Sequence, residues 1–368
     1  GLIVTNISYF IVSFASIFCL INLAITLLNI FDAERYFSED TISGKVVVLI
    51  PARDEEKRIE PLLCSLNSQT KIENLIVVVI DDDSQDQTAK FVENFFKNSF
   101  EGSIHTHLLR ARPIPTGWNG KSNALQTGYL AFPDADLYIT LDADIELSDN
   151  AISSSATSML KRGDSFLSPY PKQVCSHWTH ILVQPLLQWS WLATLPLRFA
   201  RSSARPSTAV ANGQFFVVAG DALRSVGGFQ DAAHHVLDDL ALARSLKRAG
   251  FSGTAIPAPK LSRCRMYTDW SDLAAGYQKS LWSAFGKMTL PILIIFFAVY
   301  VLPLFMGPIG LMAYLLAVTS RSFSDRISGY HLLYAIFHPV SILIFLYLIL
   351  SSLFLKSQGT LMWRGRRI

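Results

Sequence analysis

From Gly1 to Phe31 the chain carries no charged side chain. A helix of about 20 residues crosses a bilayer, so this run is long enough to span. It is also longer than the apolar core of a signal peptide, and the basic start of such a peptide is missing. The chain does not open with Met, which suggests a trimmed start. The same signal returns near the other end, where residues 288–320 and 327–355 are uncharged. A charge at mid-membrane costs about 2.5–3.5 kcal/mol on insertion scales, so three such runs imply membrane helices. The second run holds Pro291, Pro303, Gly307 and Pro308 and reads as one kinked helix or a tight hairpin. Lys356, Arg364, Arg366 and Arg367 follow the last run, which predicts a cytoplasmic tail. A middle on the same side then requires two spans between them. They are placed at about 289–317 and 331–354, with a short outer loop at 321–328.

The predicted organisation is a transmembrane helix at 1–32, a cytoplasmic domain at 42–285, transmembrane helices at 288–355 and a basic tail at 356–368. Half of the residues are hydrophobic, and the net charge of +3 is small. With no Lys/Arg block, no nucleic-acid partner is expected. Cys19, Cys64, Cys175 and Cys264 are scattered without CxxC spacing and read as reduced, buried thiols. His177 and His180 lack the further ligands of a zinc site.

The middle alternates strand and helix. Apolar β-branched runs stand at 46–50 and 75–80, followed by HTHLLR at 105–110 and LYITL at 137–141. Helical stretches lie between them at 55–69, 86–97 and 121–131. This pattern predicts an α/β fold, a mostly parallel sheet covered on both faces. Ligands of such sheets bind at the C-terminal strand ends. The polar clusters PARDEE, DDDSQDQT and DAD fall there.

Each cluster suggests a task. In DDDSQDQT, Ser84 or Asp86 caps the following helix, which accounts for some of the acids. The surplus carboxylates suit a nucleoside base or ribose. The stretch TGWNGKSNALQTG (residues 116–128) is a glycine-rich loop entering a helix, with Gly120 and Lys121 at its start. Exposed N–H groups and a lysine there suit a diphosphate, although the P-loop spacing is absent. Asp142 and Asp144 stand two apart, and strand geometry would point them the same way. Two such carboxylates repel unless a cation lies between them, and Mn2+ or Mg2+ is the natural partner. Further on, Asp238 and Asp239 open a helical pattern. One role is to favour the helix dipole, the other is catalysis by Asp239.

Taken together, VVVLIPARDEE, IDDDSQDQT, GWNGKSNAL, LDADI, ANGQFFVVAGDALRSVGGF and HHVLDDLALARSLKRAGF resemble the family 2 glycosyltransferases with the GT-A fold. The likeness covers roughly residues 44–285. GW-GK, NGQF and RMY look similar to the membrane-anchored branch that glycosylates carotenoid and hopanoid-associated isoprenoid lipids. The resemblance implies that Pro51, Ala52, Arg53 and Glu55 frame a nucleoside pocket, with Asp82 or Asp81 beside base and ribose. It implies that Lys121 lies near the donor, that Asp142 faces the donor sugar, that Asp144 ligates the metal, and that Asp239 is the general base. Asn212, Gly213 and Gln214 fall in the acceptor-side segment. The implied reaction is inverting transfer of one sugar from a nucleotide sugar, a UDP-hexose, to a membrane lipid.

One departure matters. Processive members carry QxxRW, and here the nearest string is QKSLW, with Gln278, Lys279 and Trp282 but Leu281 in place of Arg. Arg265 or Lys279 is the candidate for the missing positive charge. This argues against a polysaccharide synthase, and a polyprenyl-phosphate sugar transferase is the alternative. A nucleotidylyltransferase also uses a parallel sheet and acidic metal ligands, but needs no apolar spans.

Residues 176–200 carry no charge before Arg198. They are expected to lie in the membrane interface, with Trp178, Trp189 and Trp191 at headgroup depth. A buried core helix broken at Pro185 and Pro196 is the other reading. Asn22 and Asn29, inside the first apolar run, are expected to pair with another helix. His234 and His235, shortly before Asp239, read either as contacts to the acceptor or as plain loop residues, with the loop the expectation. The residues set neither the sugar nor the donor base, nor an oligomeric state.

Overall fold

The computed structural model describes residues 2–100, 102–363 and 366–367. Arg364 of the basic tail lies outside them, as do the side chains of Arg366 and Arg367. The strands are β1 (Ile42–Ala52), β2 (Ile72–Asp81), β3 (His105–Arg110), β4 (Leu137–Leu141), β5 (Ile145–Leu147), β6 (Phe166–Tyr170), β7 (Lys172–Gln173), β8 (Phe215–Ala219), β9 (Gly253–Pro257), β10 (Ser262–Cys264), β11 (Met362–Trp363) and β12 (Arg366–Arg367). The first seven helices are α1 (Leu2–Glu34), α2 (Glu60–Asn67), α3 (Thr88–Ser99), α4 (Gly120–Ala131), α5 (Ala151–Lys161), α6 (Trp178–Leu192) and α7 (Leu197–Ser202). The remainder are α8 (Gly220–Ser225), α9 (Asp238–Arg248), α10 (Trp270–Ala284), α11 (Thr289–Tyr300), α12 (Gly307–Ile327) and α13 (His338–Ser357). They fall into two compact units. One comprises Asp32–Lys172 and Leu197–Cys264, the other Gly1–Phe31, Gln173–Pro196 and Arg265–Ile368.

The α/β unit is built on a seven-stranded sheet in the order β3-β2-β1-β4-β8-β6-β9. Only β8 runs against its neighbours, pairing antiparallel with β4 and β6. Val46 to Ile50 are all fully buried, as a central strand covered on both faces requires. The expected helix at 55–69 starts later, at Glu60. Its first residues are held in a turn instead, where Glu55 O accepts from Arg58 N and Ile59 N. Pro61, which has no N–H to give, sits in the first helical turn.

Among the described residues, three helical stretches are long and apolar enough to cross a membrane: Ile3–Glu34, Gly286–Phe305 and Leu332–Ser357. Polar side chains tie the helices of the helical unit together where apolar burial gives little preference. Asn29 Nδ2 donates to Leu192 O at 2.8 Å and Leu195 O at 2.9 Å. Asn22 Nδ2 donates to Ala193 O at 3.0 Å, and Asn22 Oδ1 accepts from the Tyr300 hydroxyl at 2.6 Å. Both asparagines thus pair with other segments, as expected.

Two expectations fail here. The uncharged run at 288–320, read as one kinked helix or a tight hairpin, is not one continuous helix. It breaks at Pro303 and Gly307 into α11 and α12, and a Cβ on Gly310 would lie 1.8 Å from Pro303 O, so only glycine fits that approach. Residues 321–327, expected as an outer loop, continue α12. Arg321 and Asp325 are fully buried there and paired at 2.9 Å, with Arg321 Nη1 3.1 Å from His338 Nδ1. Partners within bonding reach let α12 hold charges that sequence alone assigns to solvent.

Trp189 is the second correction. It is 1 % exposed, donates Nε1–H to Ser320 Oγ at 2.9 Å, and packs edge-on against Tyr300 and His338. It belongs to the core of the helical unit, which fits the reading of this segment as a buried core helix. Trp178, at the other end of α6, is 67 % exposed.

Candidate active site

Parallel pairing carries the polar clusters to one sheet edge. Ala52 stands opposite Asp81, and Leu49 opposite Thr140, so β1, β2 and β4 end side by side. β8 enters from the opposite direction with Phe215 opposite Leu141. Asp142 N then donates to Gln214 O at 3.1 Å, which brings Asn212, Gly213 and Gln214 beside the carboxylates.

On the β1–β2 side, several acids are occupied in holding loops. Asp54 Oδ1 accepts from Gln85 N at 2.7 Å, and Asp86 Oδ1 from Thr88 N at 2.9 Å. Buried Glu55 donates its N–H to Thr88 Oγ1 and pairs its carboxylate with Arg58 Nε at 2.9 Å. Arg53 Nη1 donates to Asp82 O at 2.9 Å, next to Pro51 and Ala52 at the end of β1. Asp81 differs. Its Oδ1 is buried with no hydrogen-bond partner among the described residues, and so is Arg53 Nε. One acceptor and one donor are thus left for a ligand that supplies both.

The second cluster is centred on Lys121. Asn119 caps α4 by accepting from Ser122 N at 2.8 Å, which fixes Gly120 and Lys121 in the first turn. Lys121 Nζ lies 2.7 Å from Asp142 Oδ1. Asp239, at the start of α9, has one oxygen on Gly213 N at 2.8 Å and the other on Leu240 N at 2.7 Å. Asp238 Oδ1 accepts from Asp239 N at 2.9 Å, and Ser122 Oγ reaches Asp238 Oδ2 at 3.4 Å. Gly213 is required by this crowding, because a Cβ there would lie 2.9 Å from Lys121 Nζ and 3.2 Å from Asp239 Cβ. Burial and the Asp238 charge raise the Asp239 carboxyl above its ordinary range, against Lys121 and the two backbone donors. Desolvation opposes the Lys121 charge, but Asp142, Asp238 and Asp239 outweigh it and hold the ammonium protonated.

Asp144 is engaged from behind. The buried Cys264 thiol is hydrogen-bonded to it, and accepts from Gln214 Nε2 at 3.3 Å. Burial, then Asp144 and Asp142, push that thiol well above its usual range, so it stays a neutral donor. Asp142 and Asp144 offer two hard oxygen donors, the type that suits Mg2+ or Mn2+. No group of three His, Cys, Asp or Glu side chains stands together among the described residues. The protein therefore fits such an ion as a partial shell, one that phosphate oxygens and water would complete.

Sequence reasoning missed Tyr170 and Cys264. Tyr170 closes the buried strand β6, hydrogen-bonds Asn212 and feels the Asp239 charge. An apolar run ending in tyrosine was the available signal. Cys264 had none, since its role comes from β10 pairing with β5, Cys264 opposite Ile145. His234 is a loop tie, its Nδ1 3.0 Å from Gly117 O. Gln278, Lys279 and Trp282 lie on α10 of the helical unit. Gln278 Nε2 donates to Ser351 Oγ at 2.8 Å, and Trp282 Nε1 to Lys279 O at 2.9 Å. Arg265 belongs to the same unit and is exposed.

The family model for Glycosyl transferase family 2 matches residues 47–217, from β1 into β8. Over those residues, a little under half of its length, the chain is similar to the family 2 glycosyltransferases. Asp238 and Asp239 lie beyond the matched residues. The 4,4'-diaponeurosporenoate glycosyltransferase of Staphylococcus haemolyticus is 26% identical over 265 residues, 68% of this chain and 64% of that protein. The match thus spans less than two thirds of that relative. Among solved structures, the mannosyltransferase PcManGT from Pyrobaculum calidifontis, in complex with GDP-Man and Mn2+, aligns with a TM-score of 0.55. It is 17% identical, with 94% of this chain and 99% of that chain covered. That likeness shows the GT-A fold of the transferase domain. S. aureus TarS 1-349 aligns at 14% identity and a TM-score of 0.42, over 86% of this chain and 92% of that one, and adds nothing to the assignment.

Proposed function

We propose that the chain is an inverting glycosyltransferase that moves one sugar from a nucleotide sugar to an isoprenoid-type lipid in the membrane. The observation that carries this is the Lys121 cluster: a cation 2.7 Å from Asp142, beside a carboxylate of raised pKa on two backbone donors. The unpartnered Asp81 Oδ1 and Arg53 Nε support a nucleoside subsite on the same sheet edge. The relative from S. haemolyticus, named for an isoprenoid carboxylic acid, and the three apolar helical stretches support a lipid acceptor.

In this reading, Pro51, Ala52, Arg53, Asp81 and Asp82 hold the nucleoside, and Glu55 keeps their loop in place. Lys121 faces the diphosphate, where its charge offsets the negative charge that grows as the sugar leaves. Asp142 and Asp144 would hold Mn2+ or Mg2+, which neutralises the same leaving group when bound. Asp239 accepts the acceptor's proton as its oxygen attacks the anomeric carbon from the side opposite the diphosphate. Its raised pKa makes it a stronger base than an exposed carboxylate. Asn212, Gly213 and Gln214 line the acceptor side, and the catalytic domain faces the cytoplasm.

The test is transfer in detergent micelles, with UDP- and GDP-sugars, Mn2+ or Mg2+, and a membrane-lipid extract read by mass spectrometry. A lipid that gains one hexose, and is lost in Asp144→Ala, supports the proposal. Metal-dependent nucleotide release without any modified lipid moves the acceptor to a polymer or protein. Full transfer in Asp239→Asn points to an acceptor already ionised, a phosphate or a carboxylate. Pyrophosphate release from a nucleoside triphosphate would instead mark a nucleotidylyltransferase.

A further inference from the structure

A second polar cleft in the α/β unit has no part in this chemistry. It is lined by Asp32, Tyr36, Arg162, Arg198, Arg201 and Thr254, with Leu197 and Ile256 as its apolar wall. Its cavity of about 40 Å³ has room for water or a small polar group. Thr254 is 1 % exposed, and its hydroxyl has no hydrogen-bond partner among the described residues. A buried hydroxyl facing a polar cleft without a partner is costly unless a ligand or water meets it.

The charges around it are lopsided. Arg198 Nη2 pairs with Asp32 Oδ1 at 3.2 Å, and Arg201 Nε with Asp164 Oδ1 at 3.6 Å. Arg162 stacks over the Tyr36 ring at 4.7 Å and donates to Arg35 O; it feels the Asp164 charge but makes no direct ion pair among the described residues. Behind α7, Lys247 adds a buried amine that donates to Ala200 O and, at 2.8 Å, to Ser203 O. Three guanidiniums against two carboxylates leave a positive surplus, in the planar form that matches phosphate oxygens.

The setting indicates the source of the phosphate. Asp32 is the first charged residue after the uncharged Gly1–Phe31 run, so it lies where that run meets the polar layer. Phe199, between Arg198 and Arg201 on α7, is 54 % exposed. An exposed aromatic flanked by arginines is the pattern of a segment resting on a headgroup layer. We propose that this cleft binds the phosphate of an anionic membrane lipid, with Arg162, Arg198 and the Thr254 hydroxyl as its donors.

The experiment uses the full chain in nanodiscs of phosphatidylcholine alone or mixed with phosphatidylglycerol, followed by native mass spectrometry of retained lipid. The expected result is selective retention of phosphatidylglycerol, weakened about tenfold in Arg198→Gln and in Arg162→Gln. Thr254→Val should weaken it by a smaller factor. Arg198→Gln disturbs only an exposed ion pair, and unchanged donor hydrolysis will show that the variant is folded. Equal retention of the two lipids, or retention unaffected by all three substitutions, would overturn the proposal. Displacement of the lipid by millimolar inorganic phosphate would overturn the lipid as its source and leave a free-anion site.

Discussion

Lys121 Nζ and Asp142 Oδ1 meet at 2.7 Å across the mouth of the sheet, one from the first turn of α4 and the other from just past β4. The pair joins the glycine-rich loop to the DAD turn. The same ammonium feels Asp238 and Asp239, so one cation balances three carboxylates. Its removal should be felt by all of them.

Lys121→Gln is therefore expected to lower turnover by about 10²–10³-fold, the scale for losing one preorganised charge-stabilising group. Lys121 holds the Asp239 pKa down, so the variant's pKa should rise further. The acidic limb of the pH–rate profile should then move to higher pH. A limb that does not move would separate Lys121 from the base.

Asp239→Asn should reduce transfer about 10²–10⁴-fold while leaving nucleotide binding intact, measured by turnover and by titration calorimetry. The stability effect has the opposite sign. A carboxyl whose folded pKa is raised stabilises the fold below its unfolded pKa, and that contribution is lost as pH rises through the folded value. At neutral pH the charged Asp239 is a burden, so the asparagine variant should melt higher than the parent there. The two should converge as the pH falls through the carboxylate range.

Cys264→Ala removes a donor hydrogen-bonded to Asp144. Loss of such a supporting partner typically costs about 10–100-fold in metal affinity. The half-maximal Mn2+ or Mg2+ concentration for donor hydrolysis should rise accordingly, and chelation should silence both proteins. An unchanged metal requirement would remove Cys264 from the site.

Trp189→Ala should destabilise the helical unit by about 3–5 kcal/mol, as large buried aromatics do. The same change at exposed Trp178 should cost about 0.5 kcal/mol or less. Thermal unfolding in one detergent compares them. Similar losses at the two sites would contradict the burial that separates them.

The sequence by itself determined what local pattern can determine. Runs of buried β-branched residues between amphipathic stretches specify parallel strands, and uncharged runs of spanning length specify apolar helices, because both depend on side-chain periodicity and transfer cost along one segment. The acids at the strand ends were legible for the same reason, since a carboxylate closing a buried strand needs something to meet it. The tertiary structure decided which acids are structural and which are open. Asp54 and Asp86 stitch two loops together, and Asp81 keeps an oxygen without a hydrogen-bond partner among the described residues. It also decided the contacts made far along the chain: Asp239 on Gly213, Cys264 on Asp144, and Trp189 within the helical core. Those depend on which strands pair and which helices pack, and no single segment's periodicity carries that information. The same holds for Arg321, whose charge marked it for solvent until Asp325 and His338 were seen around it.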